Sequence, residues 1–143
     1  MKIALASDQG GFELKEAVKE HLKAKGIETV DLGTNSKESV HYPEYGKKCG
    51  EYVVSGQADL GIVCCGTGIG ISIAANKVKG VRCANVTSKE MAALAKEHNH
   101  ANVLALGGRI LTNEQAFEFV DTWLSTEEGH DRHDVRVAML NEM

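Results

Sequence analysis

The sequence predicts an α/β protein, a Rossmann-like three-layer sandwich built around a five-stranded parallel sheet. Short apolar runs typical of buried strands alternate along the chain with longer segments whose apolar residues recur at helical spacing. Such alternation places helices on both faces of a parallel sheet. The 143 residues contain one proline, no internal repeat and no low-complexity tract. We therefore expect a single domain over residues 1–143.

The strands are predicted from runs rich in apolar and β-branched residues. Because both faces of a parallel sheet are buried, these runs are nearly continuous rather than strictly alternating. The predicted strands cover residues 2–7, 27–32, 59–65, 81–86 and 102–106.

The helices are predicted between the strands and after the last one. In the first helix, Phe12, Leu14, Val18 and Leu22 form an apolar face, and the charged residues between them are free to face water. The later helices are predicted over residues 44–54, 71–77, 89–98, 113–124 and about 131–142.

The most informative segment is the glycine-rich turn after the third strand. Cys65 ends that strand, and Gly66, Gly68 and Gly70 follow it before the next helix. Such a turn directs several N–H groups towards one point, and the helix N-terminus adds positive potential. This environment favours thiolate, the basic and nucleophilic form of cysteine. The turn indicates a base beside an anion cradle, with a tight turn next to a buried cysteine as the simpler alternative.

Two familiar glycine loops do not fit the spacing. A dinucleotide fingerprint needs a third glycine three residues after the second, where this chain has Ile71 or Ile73. A Walker A loop needs a Gly-Lys-Ser/Thr ending, which does not occur here. The turn therefore suits a smaller anion or a developing oxyanion.

Composition limits the partners. A net charge of −4 argues against general binding of nucleic acid. No segment reaches the roughly 18 apolar residues of a membrane span, and the first apolar run is too short for a signal peptide. The four cysteines show no C-x-x-C spacing. We expect a cytoplasmic protein with reduced thiols and with neither a nucleic-acid nor a membrane partner.

Three predicted loops meet at one edge of the sheet. Ligands of such sheets bind beyond the carboxyl ends of the strands, which brings together Asp8, Cys65 and Arg109. Asp8 alone is equally well explained as a cap of the first helix. An acid, a thiol and a cation are thus predicted to share this edge.

These motifs together resemble the ribose-5-phosphate isomerase B family, which includes the subunits of bacterial galactose-6-phosphate isomerase. The resemblance spans nearly the whole chain, and the block 65–77 is its most specific part. Further matches are Ser7-Asp8, Gly11-Phe12, Leu14-Lys15, residues 31–34, Tyr42-Pro43, His98-Asn99, residues 102–105, Arg132-His133 and Arg136-Val137. The resemblance implies an intramolecular oxidoreductase, an aldose–ketose isomerase of a sugar phosphate that uses neither a metal nor an organic cofactor.

The resemblance also implies catalytic roles. Cys65 matches the base that moves a proton between C2 and C1 through an enediolate. His98 matches the residue that helps to open the sugar ring, with Thr67 and Asp8 assisting proton movements at the sugar oxygens.

Substrate-binding residues follow from the same matches. The residues implied to bind substrate are Asp8, Gln9, Tyr42 as an aromatic wall, Gly66, Thr67, Gly68, Ile69 and Gly70 as an anion hole, and Asn99, Arg109, Arg132 and Arg136 as substrate and phosphate contacts. Arginine forks match phosphate oxygens in pairs. Arg132 and Arg136 are four residues apart and share one face of the last predicted helix.

One position departs from the family pattern. Members usually have Asp-His at the end of the first strand, where this chain has Asp8-Gln9. Glutamine donates a hydrogen bond but carries no positive charge. The expected pair is D-ribose 5-phosphate and D-ribulose 5-phosphate, and this departure leaves allose 6-phosphate and galactose 6-phosphate open.

Topology predicts that the site is shared between subunits. In a right-handed β/α fold a helix ends at the amino edge of the sheet. His98 and Asn99 end a predicted helix, so they should lie far from Cys65 of the same chain. We predict a homodimer with shared active sites, and a dimer of dimers stays open.

Three other interpretations stay open. The chain is a nucleotide-binding regulatory module if it binds nucleotide tightly without turnover. It is a thiol redox protein if Cys64 and Cys65 act as a pair. A metal site at His130 and His133 lacks a convincing tetrahedral set, so we predict no metal in the reaction.

Overall fold

The computed structural model describes residues 1–143 and confirms the predicted fold class. Five parallel strands form one sheet in the order β2-β1-β3-β5-β4. The strands are β1 Lys2–Ser7, β2 Glu28–Asp31, β3 Leu60–Cys65, β4 Cys83–Asn85 and β5 Val103–Gly107. The helices are α1 Phe12–Ala24, α2 Tyr42–Val54, α3 Ile69–Asn76, α4 Lys89–Asn99, α5 Asn113–Ser125 and α6 Arg132–Asn141.

The sheet separates two hydrophobic cores. Because side chains alternate along a strand, Ile62 and Cys64 face the core under α1, α4 and α5, whereas Val63 and Cys65 face the core under α2 and α3. The first core contains the fully buried Trp123, whose indole N–H donates to the Ala101 carbonyl at 3.2 Å. Neighbouring cysteines thus lie on opposite faces of the sheet.

Several element boundaries differ from the prediction for local reasons. α2 begins at Tyr42 rather than at residue 44, because the fixed φ of Pro43 suits the first turn of a helix. α3 begins at Ile69 rather than at residue 71, directly after Gly68. β4 has three residues rather than six. Its outer edge is covered by the Asn76 side chain, which bonds both the N–H and the carbonyl of Cys83 at 2.8 and 2.9 Å.

The order in which successive strands are added to the sheet reverses at β1, while all strands stay parallel. β2 lies on one side of this strand and β3 on the other, so the loops that leave β1 and β3 diverge and open a crevice at the carboxyl edge. None of the six helices combines the length and apolar composition needed to cross a bilayer.

Candidate active site

Backbone hydrogen bonds join the three loops at the carboxyl edge. The Asp8 N–H donates to the Cys64 carbonyl at 3.3 Å, and the Arg109 N–H donates to the Gly66 carbonyl at 2.9 Å. The Gly108 N–H donates to the Cys65 carbonyl at 2.8 Å. The predicted acid, thiol and cation are therefore brought to one edge. We call Asp8, Gln9, Tyr42, residues 65–70 and Arg109 the carboxyl-edge cluster.

A backbone N–H group donates a hydrogen bond to the sulfur of Cys65. Its side chain is nearly buried, and the Gly68 N–H donates to Sγ at 3.1 Å. Gly68 has φ +81°, in the left-handed region that favours glycine, and this conformation turns its amide back towards the strand end. A hydrogen bond of this kind strengthens when the sulfur becomes an anion.

The amides of the turn are not equally available. Gly68 is bonded to the sulfur, and the Ile69 N–H donates to Thr67 Oγ1 at 3.1 Å. The N–H groups of Gly70 and Ile71 make no hydrogen bond within the chain, as is usual for the first turn of a helix. Sequence reasoning missed the Ile71 amide, although its place in a first turn signals an open donor. An anion at this turn therefore has donors at both residues 70 and 71.

An aromatic ring and a guanidinium flank the turn. The Tyr42 ring lies against Gly70, where a Cβ atom would come within 2.6 Å of Tyr42 Cε1. The Arg109 guanidinium lies over Gly66. Tyr42 and Arg109 are both exposed. The predicted wall and cation thus lie beside the anion cradle.

Asp8 and Gln9 organise the loop after β1. Asp8 is buried, and its Oδ1 accepts the N–H groups of Gly10 and Gly11 at 2.9 and 3.1 Å. The N-cap of α1 is Gly11 and has no side-chain cap, so Asp8 does not cap this helix but holds the turn before it, and its catalytic role stays a prediction. Gln9 Oε1 accepts the Val40 N–H at 2.9 Å. Gln9 therefore ties the loop after β1 to the segment that leads into α2.

A cavity of about 320 Å³ opens beside this loop. Gln9, Lys37 and Arg109 contribute to its lining. Lys37 also pairs with Glu13, and this pair holds the pKa of the Glu13 carboxyl below its usual value. Glu13 lines the same cavity and neutralises Lys37, so Arg109 and the Gln9 amide are the groups that remain for an anionic polar ligand.

The remaining predicted residues lie at the opposite edge of the sheet. His98 and Asn99 end α4, and Arg132 and Arg136 lie on α6. We call these four residues the amino-edge cluster. Along β5, the partner of Cys65 is Gly107 and the strand begins at Val103, so the two edges are about 13 Å apart at 3.3 Å per residue. The structure does not bring His98 to Cys65 of the same chain.

Stacked histidines hold α4 and α6 together. The rings of His98 and His133 are 4.4 Å apart between centroids and nearly parallel. Burial lowers the pKa of His133, and electrostatic repulsion from its neighbours His98, Arg132 and Arg136 lowers it further. Arg132 and Arg136 are exposed. Positive potential is therefore concentrated on this part of the surface.

Arg82 positions the end of α4, and sequence reasoning did not find it. Its Nε donates to the Asn99 carbonyl at 3.0 Å, and its Nη2 donates to the His100 carbonyl at 3.0 Å. Its Nη1 bonds the Asn141 side chain at 2.5 Å. Burial lowers its pKa, and arginine stays charged even so. A single arginine before a short strand carries no sequence signal for this role.

Burial keeps the other three cysteines in the unreactive thiol form. Burial raises the pKa of Cys49 to about 12 and raises the pKa values of Cys64 and Cys83 as well. Cys64 and Cys65 face opposite cores, and all four cysteines are free. The redox-pair interpretation therefore has no geometric support.

The two histidines near the start of α6 have different partners. His133 stacks on His98, whereas His130 lies beside His100 and Asp134. A His130–His133 metal site is therefore not formed. The only group of side chains placed to ligate a metal is His100, His130 and Asp134, and it lies outside both clusters.

Comparison with known proteins places the whole chain in one family. A family model described as Ribose/Galactose Isomerase matches residues 3–140. Ribose-5-phosphate isomerase B of Escherichia coli is 43% identical over 139 residues, covering 97% of this chain and 93% of the relative. The structure of ribose-5-phosphate isomerase B from Clostridium thermocellum superposes with a TM-score of 0.98 at 51% identity, over 99% of this chain and 96% of that one.

A further solved structure includes a ligand. Ribose-5-phosphate isomerase B from Mycoplasma genitalium, solved with bound ribulose 5-phosphate, has a TM-score of 0.93 and 40% identity, with 99% of this chain and 94% of that chain covered. The matched regions include the residues of both clusters, and these matches confirm the family resemblance that the sequence motifs indicated.

Proposed function

The chain belongs to the Ribose/Galactose Isomerase family, and we propose that it interconverts an aldose and a ketose sugar phosphate, with D-ribose 5-phosphate and D-ribulose 5-phosphate as the preferred pair. The observation that carries this proposal is the N–H group of Gly68 on Cys65 Sγ, next to the open amides of the turn. A base and an oxyanion site side by side are what proton transfer next to a carbonyl requires.

Cys65 acts as the base in this mechanism. Its thiolate removes the proton from C2 of the open-chain aldose, and the electrons form an enediolate. The resulting thiol returns a proton to C1, which gives the ketose and restores the thiolate. The nearly complete burial of Cys65 supports this role because it keeps water from the sulfur.

The turn stabilises the enediolate. The open N–H groups of Gly70 and Ile71 are available to the developing oxyanion, and fixed donors of this kind contribute several kcal/mol at a transition state. Gly66, Thr67 and Ile69 shape the remaining wall, and Thr67 and Asp8 shuttle protons at the sugar oxygens.

The phosphate and the closed ring are handled by the second cluster. We assign ring opening to His98, and substrate or phosphate contacts to Asn99, Arg132 and Arg136, with Arg109 contributing from the carboxyl edge. Because the clusters of one chain lie at opposite edges, we assign each active site to two chains of a homodimer. The twofold symmetry of such a dimer creates two equivalent sites.

Exposed apolar residues support the dimer. Ile69, Ile73 and Ile110, beside the carboxyl-edge cluster, are each more than half exposed, at 54%, 55% and 58%. Val135 and Met139, next to the arginines of α6, are 63% and 58% exposed. Such patches mark interaction surfaces. Here each patch adjoins one half of the site, so a contact between them brings the halves together.

The substrate preference rests on Gln9. Its carbonyl oxygen is held by the Val40 N–H, which leaves the amide N–H₂ as its only donor for substrate. A neutral donor recognises a hydroxyl as well as a phosphate, so the six-carbon alternatives, allose 6-phosphate and galactose 6-phosphate, are included in the test. We place the reaction in the cytoplasm, which the four free cysteines support.

The proposal is tested by NMR in deuterated water with a chelator present. The protein is incubated separately with ribose 5-phosphate, allose 6-phosphate and galactose 6-phosphate. We expect a ketose from ribose 5-phosphate at the highest rate, with deuterium at C1 from the exchanged proton. No ketose from any of the three sugars would overturn the isomerase assignment.

The shared site is tested by mixing two inactive variants. Refolding Cys65→Ala with His98→Ala gives a heterodimer in which one site carries both defects and the other carries none. We expect purified heterodimer to recover about half of the wild-type activity. A heterodimer without activity would place Cys65 and His98 in the same chain's site and reject the shared arrangement.

A further inference from the structure

Three metal-ligating side chains meet at the N-terminus of α6. A ring nitrogen from each of His100 and His130 and a carboxylate oxygen of Asp134 all lie within 4.8 Å of one another. His100 follows α4, His130 lies two residues before α6, and Asp134 lies in the first turn of α6. The fold therefore assembles this group from two segments that are 30 residues apart in the chain.

His130 and Asp134 are joined by a hydrogen bond that a bound ion would replace. His130 Nδ1 donates to Asp134 Oδ1 at 3.1 Å, and an ion bound at Nδ1 moves this proton to the other ring nitrogen, Nε2. Around a tetrahedral ion with metal–ligand bonds of about 2.0–2.1 Å, neighbouring ligand atoms are about 3.3 Å apart. The side chains of His130 and Asp134 are 70% and 52% exposed, so both can rotate by the small amount that coordination needs.

The third ligand is held by the backbone. His100 is buried, and its Nε2 lies 2.5 Å from the Gly129 carbonyl oxygen. Because a carbonyl only accepts, Nε2 carries the proton and Nδ1 keeps its lone pair. Histidines that ligate metals usually donate their other ring N–H to a carbonyl or carboxylate in this way. This tautomer leaves Nδ1 as the His100 nitrogen with a lone pair for a metal ion.

We propose that His100, His130 and Asp134 form a binding site for a divalent transition-metal ion of the zinc type. Two imidazoles and one carboxylate suit Zn²⁺, Co²⁺ or Ni²⁺, whereas Mg²⁺ and Ca²⁺ prefer sites built from oxygen. The exposed side of the group leaves room for water as a further ligand. The bound ion links the end of α4 to the start of α6.

The ion is not part of the isomerase chemistry. None of its three ligands belongs to the carboxyl-edge or amino-edge cluster, and the assignment depends only on the geometry of this group. Its effect is a clamp between the helices that carry His98, Asn99, Arg132 and Arg136.

The site is tested by titration of the full-length, metal-stripped protein. Zn²⁺ binding is followed by calorimetry, and Co²⁺ binding by visible absorption. We expect one ion per chain, and at least about a tenfold loss of affinity in His130→Ala and in Asp134→Asn. His41→Gln, which removes an exposed histidine outside the group, should keep the wild-type affinity.

Two outcomes would overturn the site. One is a wild-type affinity in His130→Ala, and the other is a thiolate-to-metal charge-transfer band in the Co²⁺ spectrum, which would place the ion on a cysteine. As an independent readout, Zn²⁺ should raise the midpoint of thermal unfolding of the wild-type protein, since it binds only the folded state. The same addition should not shift His130→Ala. Neither readout depends on isomerase activity.

Discussion

The two clusters of the candidate site are built in different ways. The carboxyl-edge cluster consists largely of backbone: a strand end, a glycine turn and the first amides of α3 surround the nearly buried Cys65. The amino-edge cluster consists of side chains on α4 and α6, and Asn99, Arg132 and Arg136 are exposed. The first arrangement holds the Cys65 sulfur in a fixed position, and the second presents positively charged arginine side chains at the protein surface.

This difference suggests a division of labour. Proton transfer needs positions that do not vary, and buried backbone supplies them. Phosphate capture needs cations that stay hydrated until the ligand arrives, and exposed arginines supply those. Substitutions in the first cluster should therefore lower kcat, whereas substitutions in the second should raise KM.

The largest effect is expected from removing the thiol. Cys65→Ala should lower kcat by about 10²–10⁴-fold, the usual contribution of a positioned base, and leave KM nearly unchanged. Steady-state kinetics with ribose 5-phosphate checks this. Cys83→Ala is the matched control and should keep kcat, since Cys83 lies at the start of β4 and away from the turn. A Cys65→Ala enzyme with normal kcat would contradict the assignment of proton transfer to the carboxyl-edge cluster.

The second test concerns the exposed cations. Arg132→Ala should raise KM by about 10–100-fold, because a charge-assisted hydrogen bond contributes about 1.5–3 kcal/mol. The value of kcat should change much less. Lys47→Ala, which removes an exposed positive charge on α2, is the control and should leave KM unaltered. An effect of Arg132→Ala on kcat alone would assign this side chain to chemistry rather than to binding.

The third test asks whether the turn is as rigid as its geometry indicates. Gly68→Ala combines a φ of +81° with a Cβ only 2.4 Å from Asn85 Oδ1. Gly56→Ala is a close control, with φ +85° and no atom within 4 Å. We expect a loss of about 1 kcal/mol in the free energy of unfolding for Gly56→Ala, and about 2–4 kcal/mol for Gly68→Ala.

Urea denaturation measures both variants. Only Gly68→Ala should also lower kcat, since its amide bonds Cys65 Sγ. Equal stabilities of the two variants would show that the turn yields to the added methyl group.

The smallest effect is expected at Asp31, behind the carboxyl-edge cluster. Burial by itself raises the pKa of this carboxyl, but hydrogen bonds from Lys15 at 2.6 Å, Lys19 at 2.8 Å and the Gly33 N–H outweigh it and hold the pKa below its usual value. Lys15 also donates to the Thr34 carbonyl at 2.7 Å. The network therefore anchors the start of the loop after β2, which continues to Val40, the residue whose N–H bonds Gln9.

The sign of the pH dependence follows from the lowered pKa. The carboxylate stabilises the folded state above the unfolded-state pKa of about 4 and loses this contribution as pH falls through the lower folded-state value. Asp31→Asn should therefore lose less stability than wild type between neutral pH and about pH 3, by about 1 kcal/mol. Urea denaturation at several pH values checks this, with Glu38→Gln as an exposed control. If the free energy of unfolding fell equally with pH in Asp31→Asn and in wild type, Asp31 would not be the source of this pH dependence.

The separation of the two clusters was predictable from the sequence, but the partners of the histidines near α4 and α6 were not. Helix direction in a right-handed β/α fold places His98 and Asn99 at the amino edge whatever their side chains do. The pairing of His133 with His98, and of His130 with His100, depends on how α6 packs on α4. No local pattern encodes that packing, so the partners of these histidines could not be predicted from the sequence.

The sequence by itself determined the alternation of strands and helices, the turn after Cys65 and the family resemblance. These features depend on residues close together in the chain, where spacing and glycine content constrain the backbone directly. Only the tertiary structure decided the strand order, the donors left open at Gly70 and Ile71, the role of Arg82 and the meeting of His100 with His130 and Asp134. Those features depend on contacts between distant segments, whose partners are set by packing and by hydrogen bonds that buried polar groups must find.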